Sequence, residues 1–241
     1  MGPIGASAGA VVELLKTARR LFGAYYRRPF LPVLLDLPWH GVARSTVFLT
    51  GTPRSGTTWV GEVLNYDNRY REIFEPFTPD RVKIARPFRF YQYIRPGTQD
   101  PVLSRTARRI LEGRFRSVWT DRANRRLIST RRLIKDVRAQ LMLKWLADLA
   151  PGMRIILVLR NPYSVAASWQ RLGWRGTRDW QAIVSQRELL QDYPMIEEVV
   201  GELDPGEPLD VVLFVWCVLA FVPLVHFATG EFYVLFYENL L

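Results

Sequence analysis

The chain has 241 residues, 49% of them apolar and 13% aromatic, which excludes a disordered polymer and suffices for one sizeable core. A single cysteine excludes an intramolecular disulfide framework and offers no zinc-ligand spacing; it fits a reducing, cytoplasmic compartment. The net charge of +10 rests on 29 Arg and only 4 Lys, so anionic partners are expected: phosphate or sulfate groups, nucleic acid, or an acidic membrane face.

The first ten residues are small and uncharged, without the basic and apolar regions of a secretory signal. Val11, Leu14, Leu15, Ala18, Leu21, Phe22 and Tyr25 follow at helical spacing, so residues 1–44 read as an amphipathic helix and lead-in. That stripe is expected to pack on the protein's own core, with peripheral membrane contact left open. Residues 45–241 read as one domain. Ser45 to Thr50 is a short buried strand, followed by the turn Gly51-Thr52-Pro53-Arg54-Ser55-Gly56 and a helix carrying Trp59, Val60, Val63 and Leu64.

Leu133-Ile134-Lys135 predicts a second strand end, and Gln140 to Leu149 a helix stopped by Pro151-Gly152. Arg154 to Leu159 is the clearest buried strand, with Pro162 to Leu172 the helix after it. Ala182 to Leu190 and Leu209 to Phe227 predict further helices, and Phe232 to Phe236 a last strand. Val211 to Val225 is uncharged but shorter than the roughly twenty residues of a spanning helix, and Pro223 interrupts it, so a core helix is expected. Cys217, within it, is expected in the core. Strands alternating with helices imply an α/β fold, a three-layer α/β/α sandwich around a parallel sheet, with ligands beyond the strands' carboxyl ends.

Two segments are built for anions. Gly51-x-x-x-x-Gly56-Thr57-Thr58 lies between a strand and a helix, where backbone N–H groups and the helix N-terminus favour negative charge. It departs from a nucleoside-triphosphate loop in having Thr57 in place of lysine, with the cation moved to Arg54. The second is Arg160-Asn161-Pro162, with Ser168 two turns along the next helix. A strand ending in Arg where nucleotide-triphosphatases often place an acid suits a second phosphate rather than Mg²⁺.

Together these segments resemble sulfotransferases that use 3′-phosphoadenosine 5′-phosphosulfate (PAPS). TGTPRSGTTW is similar to that family's 5′-phosphosulfate loop, RNPYSVAAS to its 3′-phosphate segment, and Tyr237-Glu238-Asn239-Leu240 to its Tyr-Glu-Asp-Leu segment. The resemblance spans about Ser45 to Leu240 and implies a P-loop-like fold. It implies that Arg54, Ser55, Gly56, Thr57 and Thr58 hold the 5′-phosphosulfate, Arg160 and Ser168 the 3′-phosphate, and Trp59 and Tyr237 the adenine. No metal is implied. Members of the family normally continue past this point with a basic segment that closes over the 3′-phosphate, so the resemblance implies a C-terminally truncated domain.

For the chemistry, Lys135 matches a lysine near the transferred sulfuryl group, with Arg54 on the leaving-phosphate side. The histidine that cytosolic members carry two residues after the lysine is Val137 here. Carbohydrate-directed and bacterial members use a glutamate often followed by proline, and Glu75-Pro76 is similar; Phe74 and Phe77 beside it would desolvate the carboxylate. Arg86 to Arg95 mixes Arg with aromatic residues and reads equally as an acceptor surface for an acidic ligand or as a surface loop covering the cleft. Arg105 to Arg138 carries eleven Arg but no nucleic-acid module, and reads as a solvated face. His40 and His226 are expected to pack or face solvent. The acceptor, a carbohydrate, lipid or small molecule, and the oligomeric state are open. The competing readings are a P-loop kinase or a non-catalytic binder of adenine nucleotides or acidic polymers.

Overall fold

The computed structural model describes residues 44–124 and 128–240. The expected amphipathic helix, its membrane contact and His40 lie outside them. Among the described residues five strands form one parallel sheet: β1 (Thr46–Gly51), β2 (Tyr70–Phe74), β3 (Arg131–Lys135), β4 (Arg154–Leu159) and β5 (Tyr233–Phe236). Their spatial order is β2-β3-β1-β4-β5, which puts β1 at the centre and leaves β2 and β5 as edges. The α-helices among the described residues are α1 (Thr57–Leu64), α2 (Pro101–Leu111), α3 (Leu143–Leu149), α4 (Pro162–Arg171), α5 (Thr177–Val184), α6 (Arg187–Asp192), α7 (Pro194–Glu202) and α8 (Pro208–His226).

The period of two along each strand divides the core. Val47, Leu49, Leu133 and Val158 face Val60 of α1. Phe48, Ile73, Ile134 and Ile155 face the other way, onto Ala107, Ile110 and Leu111 of α2 and Trp145 and Leu146 of α3. On that second face Leu157 and Leu159 meet Ala220 of α8, whose far side packs on Val165 and Trp169 of α4 and Trp180 of α5. Helices thus cover both faces of the central sheet, as expected. Each fully buried Val, Leu, Ile or Phe contributes about 1.5–3 kcal/mol over exposure.

Local signals set several boundaries. Asp100 and Asn161 each accept hydrogen bonds from two first-turn amides, and each is followed by proline at the first helical position. The helix expected over residues 182–190 is instead two, α5 and α6. Gln186 at the junction buries its side chain, accepting at 2.6 Å from the Tyr93 amide and donating at 2.8 Å to the Tyr91 carbonyl. Strand β2 had no counterpart in the sequence reading. α8 is long and apolar enough to cross a membrane, yet half of its apolar window is buried in the fold. Cys217 corrects an expectation: it is exposed on the outer face of α8.

Candidate active site

Each of the five strands brings at least one candidate residue to its carboxyl end. β1 leads into Arg54–Thr58, β2 into Glu75, β3 ends in Lys135, β4 leads into Arg160 and β5 into Tyr237. Between them lies a cavity of about 440 Å³, lined by Arg54, Gly56, Thr57, Thr58, Trp59, Glu75, Lys135, Arg160 and Tyr237, all expected from the sequence. Ser55 and Ser168 are not on its wall. Ser55 is fully buried and its amide closes the turn onto the Thr52 carbonyl at 3.0 Å. Ser168 accepts a 3.1 Å hydrogen bond from Arg54 Nε, and so steadies the residue whose carbonyl also receives Arg160.

The loop after β1 is held from outside. Trp169 Nε1 donates to the Pro53 carbonyl at 3.0 Å, and Arg160 donates to the Arg54 carbonyl at 3.1 Å. Gly56 has φ 90° and no side-chain cap for α1; a Cβ there would lie 2.4 Å from the Tyr237 ring. Only glycine permits both the left-handed turn and the close passage of Tyr237. The first-turn amides of α1 are therefore left for an anion. The Arg160 guanidinium lies 4.6 Å from the Tyr237 ring centre, and Trp59 meets the same ring edge-on at 6.1 Å. Two aromatic faces and a cation thus stand together, as a base with a phosphate nearby would require.

The opposite wall is a buried ion pair. Lys135 Nζ lies 2.7 Å from Glu75 Oε1, with 5% and 13% of their side chains exposed. Glu75 is tethered twice to the same residue, since its amide also donates to the Lys135 carbonyl at 2.6 Å. It holds φ 43° and Arg54 holds φ 76°, left-handed values that cost a non-glycine residue about 1–3 kcal/mol. Phe74 stacks under Lys135 at 4.3 Å, but Phe77 turns into the core, so only one of the two flanking rings shields this carboxylate.

Asp136 fastens both loops. Fully buried, it accepts at 2.8 Å from the Phe77 amide with one oxygen and at 2.8 Å from the Arg138 amide with the other. Burial pushes its carboxyl up to about 6, against those two amides.

A match to the sulfotransferase family model runs over residues 46–199, from the central strand β1 into α7. This chain belongs to the sulfotransferase family. Among solved structures, it is similar to a sulfotransferase domain from the curacin biosynthetic pathway, at 18% identity and a TM-score of 0.43, over 80% of this chain and 67% of that one. It is also similar to a sulfotransferase from Alicyclobacillus acidocaldarius, at 16% identity and a TM-score of 0.38, over 82% of this chain and 74% of that one. Comparison with curated proteins finds no match.

The sulfotransferase cavity also contains residues the sequence did not single out. Arg122 lines it, with its guanidinium 3.5 Å from the Phe74 ring centre and 4.4 Å from Trp119. It is delivered there by buried Arg71, which reaches from β2 to Asp121 at 3.0 Å and to the Gly113 and Phe115 carbonyls. The basic region is therefore no uniform solvated face. The expected acceptor surface, Arg86 to Arg95, lines neither this cavity nor the one beside it. Phe88, Tyr91, Tyr93 and Ile94 are buried, and Arg95 is neutralised by Asp192 at 2.7 Å. His226 bonds to the Tyr193 hydroxyl at 2.6 Å and does not line the cavity.

Proposed function

We propose that this sulfotransferase takes its sulfuryl group from PAPS and transfers it to an acceptor hydroxyl or amine. The supporting observation is one cavity with a cationic, aromatic side (Arg54, Arg160, Trp59, Tyr237) facing a carboxylate–lysine side (Glu75, Lys135). The residues present suit PAPS. Gly56, Thr57, Thr58 and the first-turn amides of α1 would hold the 5′-phosphosulfate, with Arg160 on the 3′-phosphate and the two rings beside adenine. Ser168 would act through Arg54, and Ser55 through the shape of the turn.

In the transfer, Glu75 takes the acceptor proton as the acceptor attacks sulfur. The new bond to sulfur forms as the bond to the bridging phosphate oxygen breaks, releasing adenosine 3′,5′-bisphosphate. Lys135 and Arg54 offset the charge on the sulfuryl and leaving oxygens. A cytoplasmic site of action fits the single cysteine.

Calorimetry with adenosine 3′,5′-bisphosphate, 5′-AMP and Mg-ATP tests the donor assignment. A strong preference for the bisphosphate is expected. Preference for Mg-ATP would replace this reading with a kinase.

A further inference from the structure

A second cavity of about 610 Å³ adjoins the first, with Thr58, Phe74 and Arg122 common to both walls. Its position follows from the fold. Thr58, Glu62 and Asn65 are spaced four and three residues apart and share one side of α1. Glu72 and Phe74 alternate along β2 and share one face of that strand. Phe74 is in register with Lys135, so this is the face that carries the ion pair. Since β2 is a sheet edge, the side of α1 and the face of β2 border an open trough. The Arg122–Asn124 turn ends it, with Asn124 bonded to both the amide and the carbonyl of Glu72 at 2.7 and 2.9 Å.

The polar groups of this trough divide into used and free. Asn65 is spent on the backbone of Tyr70, and Asn124 on that of Glu72. The Glu62 and Glu72 carboxylates make no hydrogen bond or ion pair among the described residues. Burial pushes the Glu72 carboxyl above its ordinary value, and the charge of Glu62 adds to this against Lys135 and Arg122. A cation between the two would relieve both burial and repulsion. The Tyr66 ring stands at the rim, 82% exposed, as a stacking face. Among the described lining residues of this trough the two carboxylates stand against one cation, Arg122, in a protein of net charge +10.

Resting on the PAPS reading above, we infer that this trough is the acceptor cleft, and that Glu62 and Glu72 select a polyhydroxylated acceptor bearing an ammonium group, of the amino-sugar type. Its ammonium and hydroxyl groups bond to the two carboxylates while a second hydroxyl extends past the shared Thr58 and Phe74 towards Glu75. Acidic acceptors are disfavoured by the same two carboxylates.

The test uses three probes on one scaffold, the 4-nitrophenyl β-glycosides of glucosamine, glucose and glucuronic acid. Each is titrated calorimetrically into protein saturated with adenosine 3′,5′-bisphosphate. The expected order is glucosaminide, glucoside, glucuronide, with about tenfold or more between the extremes. Glu62→Gln and Glu72→Gln, each in turn, should compress that spread without changing affinity for the bisphosphate. Equal binding of the three, tighter binding of the glucuronide, no binding of any at millimolar concentration, or a spread unchanged in both variants would overturn the inference. Failure of the wild type to bind the bisphosphate would instead remove the donor reading beneath it.

Discussion

On one side of the active cavity Lys135 and Glu75 neutralise each other at 2.7 Å, nearly out of reach of water. On the other side Arg54 is exposed and Arg160 half-buried, and each spends only part of its guanidinium on the protein: Arg54 on Ser168, Arg160 on the Arg54 carbonyl and the Tyr237 ring. The difference teaches how one cavity can serve two tasks. A buried pair is locked in place by its own desolvation, because separating the charges leaves each without solvent or partner. An open pair of arginines keeps donors free for an incoming anion and stays electrostatically incomplete until one arrives.

The contrast can be broken from the buried side first. Glu75→Gln should lower sulfuryl transfer by about 10²–10⁴-fold, the usual worth of a general base, while sparing nucleotide binding measured by calorimetry. Retained turnover would remove Glu75 from the chemistry. Lys135→Ala strands the Glu75 carboxylate and should destabilise the fold by about 3–5 kcal/mol in urea denaturation. A loss under 1 kcal/mol, the range typical of exposed pairs, would show that the ion pair behaves as a surface contact.

On the open side the effects are smaller and fall on binding. Arg160→Ala should weaken binding of adenosine 3′,5′-bisphosphate by at least about 1.5 kcal/mol with little change in stability. Unchanged affinity would take Arg160 out of the nucleotide site. Asp136, which ties together the loops after β2 and β3, gives the comparison a pH axis. Its folded value is raised from 3.8 to about 6, so the folded state binds that proton more tightly than the unfolded chain. Its contribution to stability is therefore greatest below the unfolded value and declines as pH rises through the folded value. The stability difference between wild type and Asp136→Asn should shift against the wild type between about pH 4 and 6; a flat difference would show that burial does not perturb this carboxyl.

Several of these residues were legible in advance because their signal is local. Gly51 to Thr58 combines a strand, a glycine turn and a helix start in consecutive positions, and Arg160 follows an unbroken apolar strand. Glu75 and Lys135 were each legible, but not as partners, since sixty residues separate them. β2 escaped because an edge strand with a buried arginine does not alternate cleanly: Arg71 is hidden by bonds to residues 113–121, which no periodicity announces. Arg122 was invisible for the same reason. Arg86 to Arg95 misled because aromatic and basic residues suit either a ligand or a core edge, and here the rings went inward.

The sequence by itself determined the strands and helices of the centre, the two candidate turns after β1 and β4, and the family they resemble, because these rest on contiguous spacing and backbone preference. Only the tertiary structure decided that Ser168 bonds to Arg54, that Glu75 is pinned to Lys135, that Cys217 faces outward, and that a trough carrying Glu62 and Glu72 adjoins the candidate cavity. Those facts depend on which strand lies at the edge and which side chains meet across the sheet. Such meetings are set by packing of distant segments, where burial and charge pairing act without regard to chain order.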